Sequence, residues 1–230
     1  MNSGCFLIGT GPSLNKIDVT RLAAYDTITF NRAYIAWPQW GFHPTWYACL
    51  DPVALEDNAA DIHRLVAESG VRRFFLNENA AQFGITASER VTLLRLQEDA
   101  PFSLDLAVVT DYGNVGASAL QILTALGYRR VALVGVDARY STLTGAEETG
   151  QDYIRMRHGQ DPDHFLPAYL AGRRRVAKPD YARLLGQWPQ VAAECERVGL
   201  EVRNASPGSA LTLFPFIDFA AALDWIGGTG

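Results

Sequence analysis

Apolar residues are arranged along this chain in two alternating patterns. Short runs of consecutive apolar residues are typical of strands buried on both faces, and longer stretches with helical apolar spacing separate them. The predicted strands are CFLIG, DTITFN, TWYACLD, VRRFFLN, RRVALVGVD and LEVRNAS. The predicted helices are one that opens at the glycine turn after the first strand, then LEDNAADIHRLVAESG, ASALQILTALGY and YARLLGQWPQVAAECERVG. This alternation predicts an α/β fold, a Rossmann-like parallel sheet with helices on both faces.

One segment departs from the alternation. Residues 141–179 are rich in Gly, His, Asp and Arg and show little apolar periodicity. A long irregular stretch inside a compact domain is usually a lid or a binding segment. We find no repeat and no linker, so we interpret residues 1–230 as a single Rossmann-like domain with an irregular lid insertion at about 141–179.

Composition narrows the classes of protein that the chain can represent. The 230 residues are 48% hydrophobic, which suffices for a full core and is unlike a disordered chain. The net charge of -5 argues against non-specific binding to nucleic acid, which needs a basic surface. Three scattered cysteines without a CxxC pair indicate buried structural thiols in a reducing compartment. We therefore expect a cytoplasmic protein that binds no nucleic acid.

Membrane association is left open by the sequence. It contains no secretory signal and no apolar run of the roughly 18 residues that a membrane helix needs. The aromatic-rich segment LTLFPFIDFAAALDWI has two interpretations, a helix packed on the core or a surface for peripheral membrane association. The sequence is also compatible with an oligomer.

The most informative local pattern is the glycine turn in FLIGTGPSLNKID. A dinucleotide-binding turn carries glycine at its first, third and sixth positions, where this chain has Gly9, Gly11 and Leu14. Glycine lets the backbone turn tightly and approach a ligand closely, and Pro12 suits the first turn of a helix. The N–H groups that follow, together with the Ser13 hydroxyl, can hold an anion. The turn is therefore either a site for a nucleotide phosphate or ribose, or a structural turn.

Polar and glycine residues recur at the ends of the other predicted strands and at a predicted helix start. They are Asn31, Asp51, Asn114, Gly116, Gly135 and Asp137. Each one alone is equally consistent with a loop cap. Because ligands of open parallel sheets bind at the carboxyl ends of the strands, the set together predicts a ligand site at that edge.

These motifs occur in the order seen in a known family. The segments GTGPSL, FNRAY, LDP, ALGYRRVALVGVD and NASPGSAL resemble those of bacterial sialyltransferases of the Campylobacter type over almost the whole chain. The same glycine-proline-serine turn is similar to that of archaeal hydroxymethyl-dihydropterin pyrophosphokinases and flagellin-glycosylation proteins. In that broader set the third strand commonly ends in Asp-Pro, as Asp51-Pro52 does here.

The resemblance implies a site for CMP. It places CMP against Gly9, Thr10, Gly11 and Ser13, with the cytidine side lined by Asn114 and Gly116. It also places Asn31 at the nucleotide or the donor phosphate, Asp51 near the ribose or the donor, and Gly135 and Asp137 at the end of the matching strand. After Asp137 the family has a tyrosine that binds the leaving phosphate, and the matching positions here are Arg139 and Tyr140. Either side chain can stabilise a departing phosphate.

The predicted lid supplies the remaining candidate groups. The family's general base is a histidine in a segment like H-Y-x-G-H, and His164-Phe165 match its first two residues while the second histidine has no counterpart. His164 is our candidate base, because its reference pKa lies near neutral pH. Arg174, Arg175 and Lys178, in the run GRRRVAKPD, either clamp a phosphate or sugar carboxylate or are solvated loop charges.

Three hypotheses of function follow. The first is an inverting, metal-independent glycosyltransferase that moves a CMP-activated acidic sugar to a glycan or other hydroxyl acceptor and needs no cofactor. The second is a pterin pyrophosphokinase that uses ATP and magnesium held by Asp51 and Asp137. The third is a nucleotide-binding protein without catalysis. The other histidines show no spacing for a zinc site, so we predict no resident metal.

Overall fold

The computed structural model describes residues 4–98, 100–106, 108–139, 146–148, 153–156, 161–170, 176–177 and 181–228. The strands are β1 (Gly4–Ile8), β2 (Thr27–Phe30), β3 (Trp46–Cys49), β4 (Arg73–Asn77), β5 (Val91–Gln97), β6 (Val108–Thr110), β7 (Arg130–Val134), β8 (Ala146–Glu148), β9 (Tyr153–Met156), β10 (Val176–Ala177) and β11 (Glu201–Asn204). The helices are α1 (Trp37–Trp40), α2 (Pro52–Glu68), α3 (Val115–Ala125), α4 (Tyr181–Gly186), α5 (Trp188–Val198) and α6 (Phe219–Gly227).

Eight strands form one parallel sheet in the order β11-β7-β1-β2-β3-β4-β5-β6. The chain leaves β1 toward β2 on one side, and returns to its other side with β7. The strand order therefore reverses between β1 and β7, and open parallel sheets bind ligands at such a reversal. The α/β architecture predicted from the apolar pattern is confirmed.

The sheet has a hydrophobic core on each face because its strands alternate their side chains. In β1, Phe6 and Ile8 point into the core that α2 and α6 cover. Cys5 and Leu7 point into the opposite core, under α3 and α5. All four side chains are fully buried, which explains why a strand covered on both faces is an uninterrupted apolar run in the sequence.

The C-terminal segment contributes a core helix. Ala222, Leu223 and Ile226 of α6 are buried, whereas Leu213 and Phe216 in the loop before it are 48% and 54% exposed. Within the described part of the chain, no helix is both long enough and apolar enough to cross a bilayer.

The structure differs from the predicted elements in several places, and the predicted helix YARLLGQWPQVAAECERVG is two helices, α4 and α5. Strands β5 and β6 were not predicted, since β5 is only partly buried and β6 has three residues. The helix expected after the glycine turn is two 3₁₀-helices, Pro12–Lys16 and Val19–Ala24. The chain becomes extended at Ile17 between them, so no α-helix can form. Within the predicted lid, β8, β9 and β10 form a small antiparallel sheet.

The loops after β1 and β7 are joined through backbone hydrogen bonds. The Gly9 N–H donates to the Val134 carbonyl at 2.7 Å, and the Gly11 N–H donates to the Gly135 carbonyl at 2.8 Å. A Cβ atom on Gly9 would lie 2.3 Å from the Gly135 carbonyl oxygen, well inside van der Waals contact. Gly135 also has a φ of +68°, which glycine adopts without strain. The glycines are required here for backbone-to-backbone contact.

We expect Gly9→Ala to destabilise the fold by about 2 kcal/mol or more, because two backbone segments must separate to admit the methyl group. The matched control is Gly186→Ala, at the end of α4, where an added Cβ meets nothing within 4 Å. Denaturant unfolding of both variants measures the difference. Equal stability of the two variants would show that the loops can move apart freely.

A second prediction concerns the three cysteines, which are all buried. Burial raises the pKa of Cys195 to about 12 and raises that of Cys5 well above its usual value. Since the thiolate is the reactive form, we expect native Cys195 to react with a disulfide reagent at pH 8 about 10³-fold more slowly than in unfolded chain. Guanidinium should release all three thiols. A rapidly labelled thiol in native protein would contradict the buried-thiol interpretation.

Candidate functional site

A cleft opens at the carboxyl edge of the sheet, where the strand order reverses between β1 and β7. Its cavity volume is about 90 Å³, below the usual size of ligand pockets, and reaches about 550 Å³ only when the open solvent at its mouth is included. Nine of the residues predicted for the site line it: Gly9, Thr10, Gly11, Asn114, Gly116, Gly135, Asp137, Arg139 and His164. The fold thus brings together residues that are up to 155 positions apart in the sequence.

The glycine turn is occupied by a carboxylate of the protein itself. The Ser13 N–H donates to Asp137 Oδ2 at 2.8 Å, and a Cβ on Gly11 would lie 2.5 Å from the same oxygen. The Ser13 amide is therefore bound to Asp137 in this structure, and the expectation that it holds a ligand anion stays a prediction that requires this carboxylate to be displaced. The 3₁₀-helix that follows has only five residues and lacks the dipole of a longer helix.

The NASPGSAL segment holds the β7 loop from the other side. The Ser209 hydroxyl donates to the Val136 carbonyl at 2.7 Å, and the Ala210 N–H donates to the Asp137 carbonyl at 2.8 Å. The Val136 N–H in turn donates to the Ser206 hydroxyl at 3.0 Å. These bonds determine the position of Ala138 and Arg139 beyond the strand, and Ala138 has the uncommon φ of +46° for a residue other than glycine.

Helix α3 begins in the wall of the cleft. Asn114 caps it, with its Oδ1 accepting from the Gly116 N–H at 2.9 Å. A Cβ on Gly116 would lie 3.2 Å from Asn114 Oδ1 and 3.6 Å from the Phe30 ring, so glycine keeps this corner open. Trp188, at the start of α5, completes an apolar side of the cleft and packs edge-to-face against Phe214. An apolar wall beside amide and hydroxyl groups suits a planar heterocycle with polar edges.

His164 lies at the rim of the cleft and is paired with a buried acid. Its Nδ1 is 2.8 Å from Asp161 Oδ1, and the Asp161 side chain is only 1% exposed. The imidazole stacks on the Tyr169 ring, with the centroids 4.1 Å apart and the planes inclined by 12°. The ring is therefore held on one face and through one nitrogen, which leaves Nε2 as the nitrogen available to a ligand.

The segment 161–170 that carries His164 is anchored to the body of the domain. The Phe165 N–H donates to the Thr10 carbonyl at 2.8 Å, and the Asn15 amide donates to the Phe165 carbonyl at 2.8 Å. The Phe165, Tyr169 and Leu170 side chains are buried in the core that covers one face of the sheet. The imidazole therefore has a defined position relative to the glycine turn.

Three predicted site residues do not line this cleft: Ser13, Asn31 and Asp51. Asp51 is the N-cap of α2 and accepts from the Val53 N–H at 2.8 Å, which is the structural alternative for an Asp before a helix. Asn31 has a φ of +50°, and its carbonyl accepts from the Tyr47 hydroxyl at 2.7 Å. Its buried Oδ1 has no hydrogen-bond partner among the described residues.

Four predicted residues lie outside the described residues: Tyr140, Arg174, Arg175 and Lys178. In the part of the chain that is described, no group of three or more His, Cys, Asp or Glu side chains is placed to hold a metal ion.

Six residues line the cleft without having been predicted: Phe30, Val136, Ala138, Asp163, Leu185 and Trp188. Five of them are apolar and are equally typical of core positions, so the sequence offers no signal that separates a core position from a cleft position. Asp161 was also missed, although the spacing D-P-D-H places an acid three residues before the candidate base. That spacing is a usable signal in a turn, where residues three apart come close together.

No protein-family model and no curated protein matches the chain. Solved structures do match nearly all of it. The sialyltransferase CstII from Campylobacter jejuni, in complex with the substrate analogue CMP-3FNeuAc, is 16% identical with a TM-score of 0.52, covering 93% of this chain and 85% of that one. Its complex with cytidine-5'-monophosphate is 13% identical with a TM-score of 0.55, covering 93% and 84%.

The MAf glycosyltransferase from Magnetospirillum magneticum AMB-1 matches as well, at 16% identity and a TM-score of 0.52. The match covers 94% of this chain and 34% of MAf, so this chain corresponds to about a third of that protein. Identities this low establish a common fold and not a common activity. The resemblance that the sequence motifs indicated is therefore confirmed at the level of the fold.

Proposed function

We propose that this chain is a glycosyltransferase whose donor is a CMP-activated acidic sugar. The observation that carries the proposal is the cleft at the β1–β7 reversal, where nine residues predicted from a sialyltransferase-like pattern come together. The fold is that of a sialyltransferase whose solved complexes contain CMP and CMP-3FNeuAc. On the apolar wall of Phe30, Leu185 and Trp188, the surface open to the base of the nucleotide comes mostly from Leu185, which is 39% exposed.

The donor phosphate would lie beside Arg139 and away from the Ser13 amide. Asp137 fills the glycine turn with negative charge, and a phosphate placed against it would be repelled. Arg139 is exposed and lines the cleft two residues farther along. A guanidinium there can neutralise the charge that develops on the phosphate as CMP leaves. A leaving group with a single phosphate needs no metal ion for this, which is the basis for proposing metal independence.

His164 would act as the general base. The acceptor hydroxyl gives its proton to Nε2 as its oxygen forms a bond to the anomeric carbon of the donor sugar. The bond from that carbon to the CMP phosphate oxygen breaks on the opposite face, and CMP takes the electron pair. A single displacement of this kind inverts the configuration at the anomeric carbon. The imidazolium that forms lies 2.8 Å from the Asp161 carboxylate, which stabilises its charge.

The competing hypothesis is a pyrophosphokinase that needs magnesium held by Asp51 and Asp137. In the structure Asp51 caps α2, and Asp137 accepts a hydrogen bond within the glycine turn. Asp51 does not line the cleft that Asp137 lines, and among the described residues no three His, Cys, Asp or Glu side chains are placed to hold a metal ion. This geometry favours the glycosyltransferase hypothesis.

The first test is the nucleotide that stabilises the folded protein. We expect CMP and CDP to raise the melting temperature in the presence of a chelator, by roughly 5–10 °C at about 100 times the dissociation constant. The physical reason is that a ligand bound only by the folded state shifts the unfolding equilibrium. Stabilisation by ATP alone, and only with magnesium, would reject the proposal in favour of the pyrophosphokinase.

Arg139→Ala makes this test more specific, because it removes the positive charge that we propose binds the phosphate. We expect the variant to lose much of the CMP-induced shift while the smaller shift caused by cytidine, which lacks the phosphate, stays the same. Arg95→Ala, an exposed arginine on β5, is the control and should behave as wild type with both ligands. If the variant loses the CMP-induced and the cytidine-induced increases in melting temperature equally, Arg139 does not contact the phosphate.

The second test concerns the base. We expect His164→Ala to lower kcat for CMP release from CMP-sialic acid by roughly 10²-fold or more, with donor affinity changed less than about twofold. The group acts on the transition state, so binding of the ground state is largely preserved. Oligosaccharides serve as acceptors in the assay, and water serves in their absence.

His63→Ala is the matched control, since His63 is exposed on α2 and does not line the cleft. Its kcat should equal that of wild type. A wild-type kcat in the His164→Ala variant would show that His164 is not the base. This conclusion would hold for any result of the nucleotide test.

A further inference from the structure

We infer that Asp161 is a positioning residue that holds His164 with its proton on Nδ1 and its lone pair on Nε2, directed at the cleft. The inference rests on the proposed function, in which His164 is the base. It also assigns to Asp161 a role that the sequence motifs did not indicate.

The geometry of the Asp161 carboxylate supports this role. Its Oδ1 is 2.8 Å from His164 Nδ1 and accepts from the Asp163 N–H at 3.2 Å. The side chain is 1% exposed, and its Oδ2 is buried without a hydrogen-bond partner among the described residues. A buried carboxylate with an unsatisfied oxygen is costly, and a positive charge on the neighbouring imidazole offsets that cost. The pair is therefore suited to stabilise the imidazolium that proton transfer creates.

The contacts of the ring restrict it to this pairing. Stacking on Tyr169 at 4.1 Å fixes the plane of the imidazole, so the ring cannot tilt away from the acid. The Arg32 guanidinium donates to the Tyr169 carbonyl, which ties that residue to the segment after β2. The Phe165 N–H bond to the Thr10 carbonyl links the same turn to the glycine turn. Asp161, the His164 imidazole and the cleft are therefore held in fixed positions relative to one another.

The protonation state follows from hydrogen-bond chemistry. An ionised carboxylate only accepts hydrogen bonds, so a neutral imidazole facing it must carry its proton on Nδ1. The basic lone pair is then on Nε2, the nitrogen that the cleft can use. During transfer Nε2 takes the acceptor proton while Nδ1 keeps its own, so the hydrogen bond from Nδ1 to Asp161 is retained, as in a serine-protease triad.

The experiment combines nitrogen NMR with kinetics on the full chain. In protein labelled with ¹⁵N-histidine, His164 is assigned as the signal missing from His164→Ala, among the four histidines of the chain. In the pH range where the ring is neutral, we expect wild type to show the Nδ1–H tautomer. We expect Asp161→Asn to shift the ring toward the Nε2–H tautomer, because the amide can donate to Nδ1.

The kinetic arm separates positioning from folding. We expect Asp161→Asn to lower kcat for CMP-sialic acid roughly 10- to 100-fold with donor affinity changed less than about twofold. Asp224→Asn, an exposed acid on α6, is the control and should match wild type in both arms. The wild-type tautomer is measured without any substitution, so it decides the question even where the Asp161 variant melts early.

Two results would overturn the inference: an Nε2–H ring in wild type, or an unchanged kcat in a folded Asp161→Asn protein. The tautomer needs no substrate, which separates this inference from the proposed function. An Nδ1–H ring in a protein that turns over no CMP-sugar would reject the proposed function and still support the position that Asp161 gives the ring.

Discussion

The contact between the loops after β1 and β7 is the constraint on which the site depends. Two glycines face each other there, and the Gly9 Cβ position would fall 2.3 Å from the Gly135 carbonyl oxygen. The hydrogen bonds from Gly9 and Gly11 can form only at this separation. They bring Asp137 into the glycine turn and place Arg139 at the cleft. A side chain at Gly9 would therefore displace the two loops at the carboxyl edge of the sheet.

The same turn also determines where the candidate base lies. The Thr10 carbonyl, between the two glycines, accepts from the Phe165 N–H, so the His164 segment is attached to the turn itself. Burial of Phe165 and Tyr169 holds the remainder of that segment against the domain. The glycine turn and the His164 segment are thus joined through Thr10. A change in the β1–β7 contact should therefore displace Arg139 and His164 together.

The fold could be predicted from the sequence because strands buried on both faces are continuous apolar runs, as in Cys5–Ile8 and Val131–Val134. The partly exposed β5 and the three-residue β6 lack that signal, so they were missed. Most of the cleft could be predicted as well, because polar residues at strand ends meet at one edge. The sequence could not show which of these polar groups form hydrogen bonds within the protein and are therefore not directed at a ligand. Asp51 caps a helix and Asp137 fills the turn, and the sequence spacing is the same for either use.

The structure also explains why the turn lacks the third glycine of a dinucleotide-binding motif. That glycine allows close packing of a helix on the strand where the pyrophosphate binds. Here Leu14 is buried, and its Cδ1 would lie 3.2 Å from a Cβ on Gly135, so the leucine fills the space between the two loops. Leu14 and the Asp137 carboxylate thus occupy positions beside the turn, and the Ser13 amide is bound within the protein. Under the proposed function, the donor phosphate would therefore lie toward Arg139, where a positive charge lines the cleft.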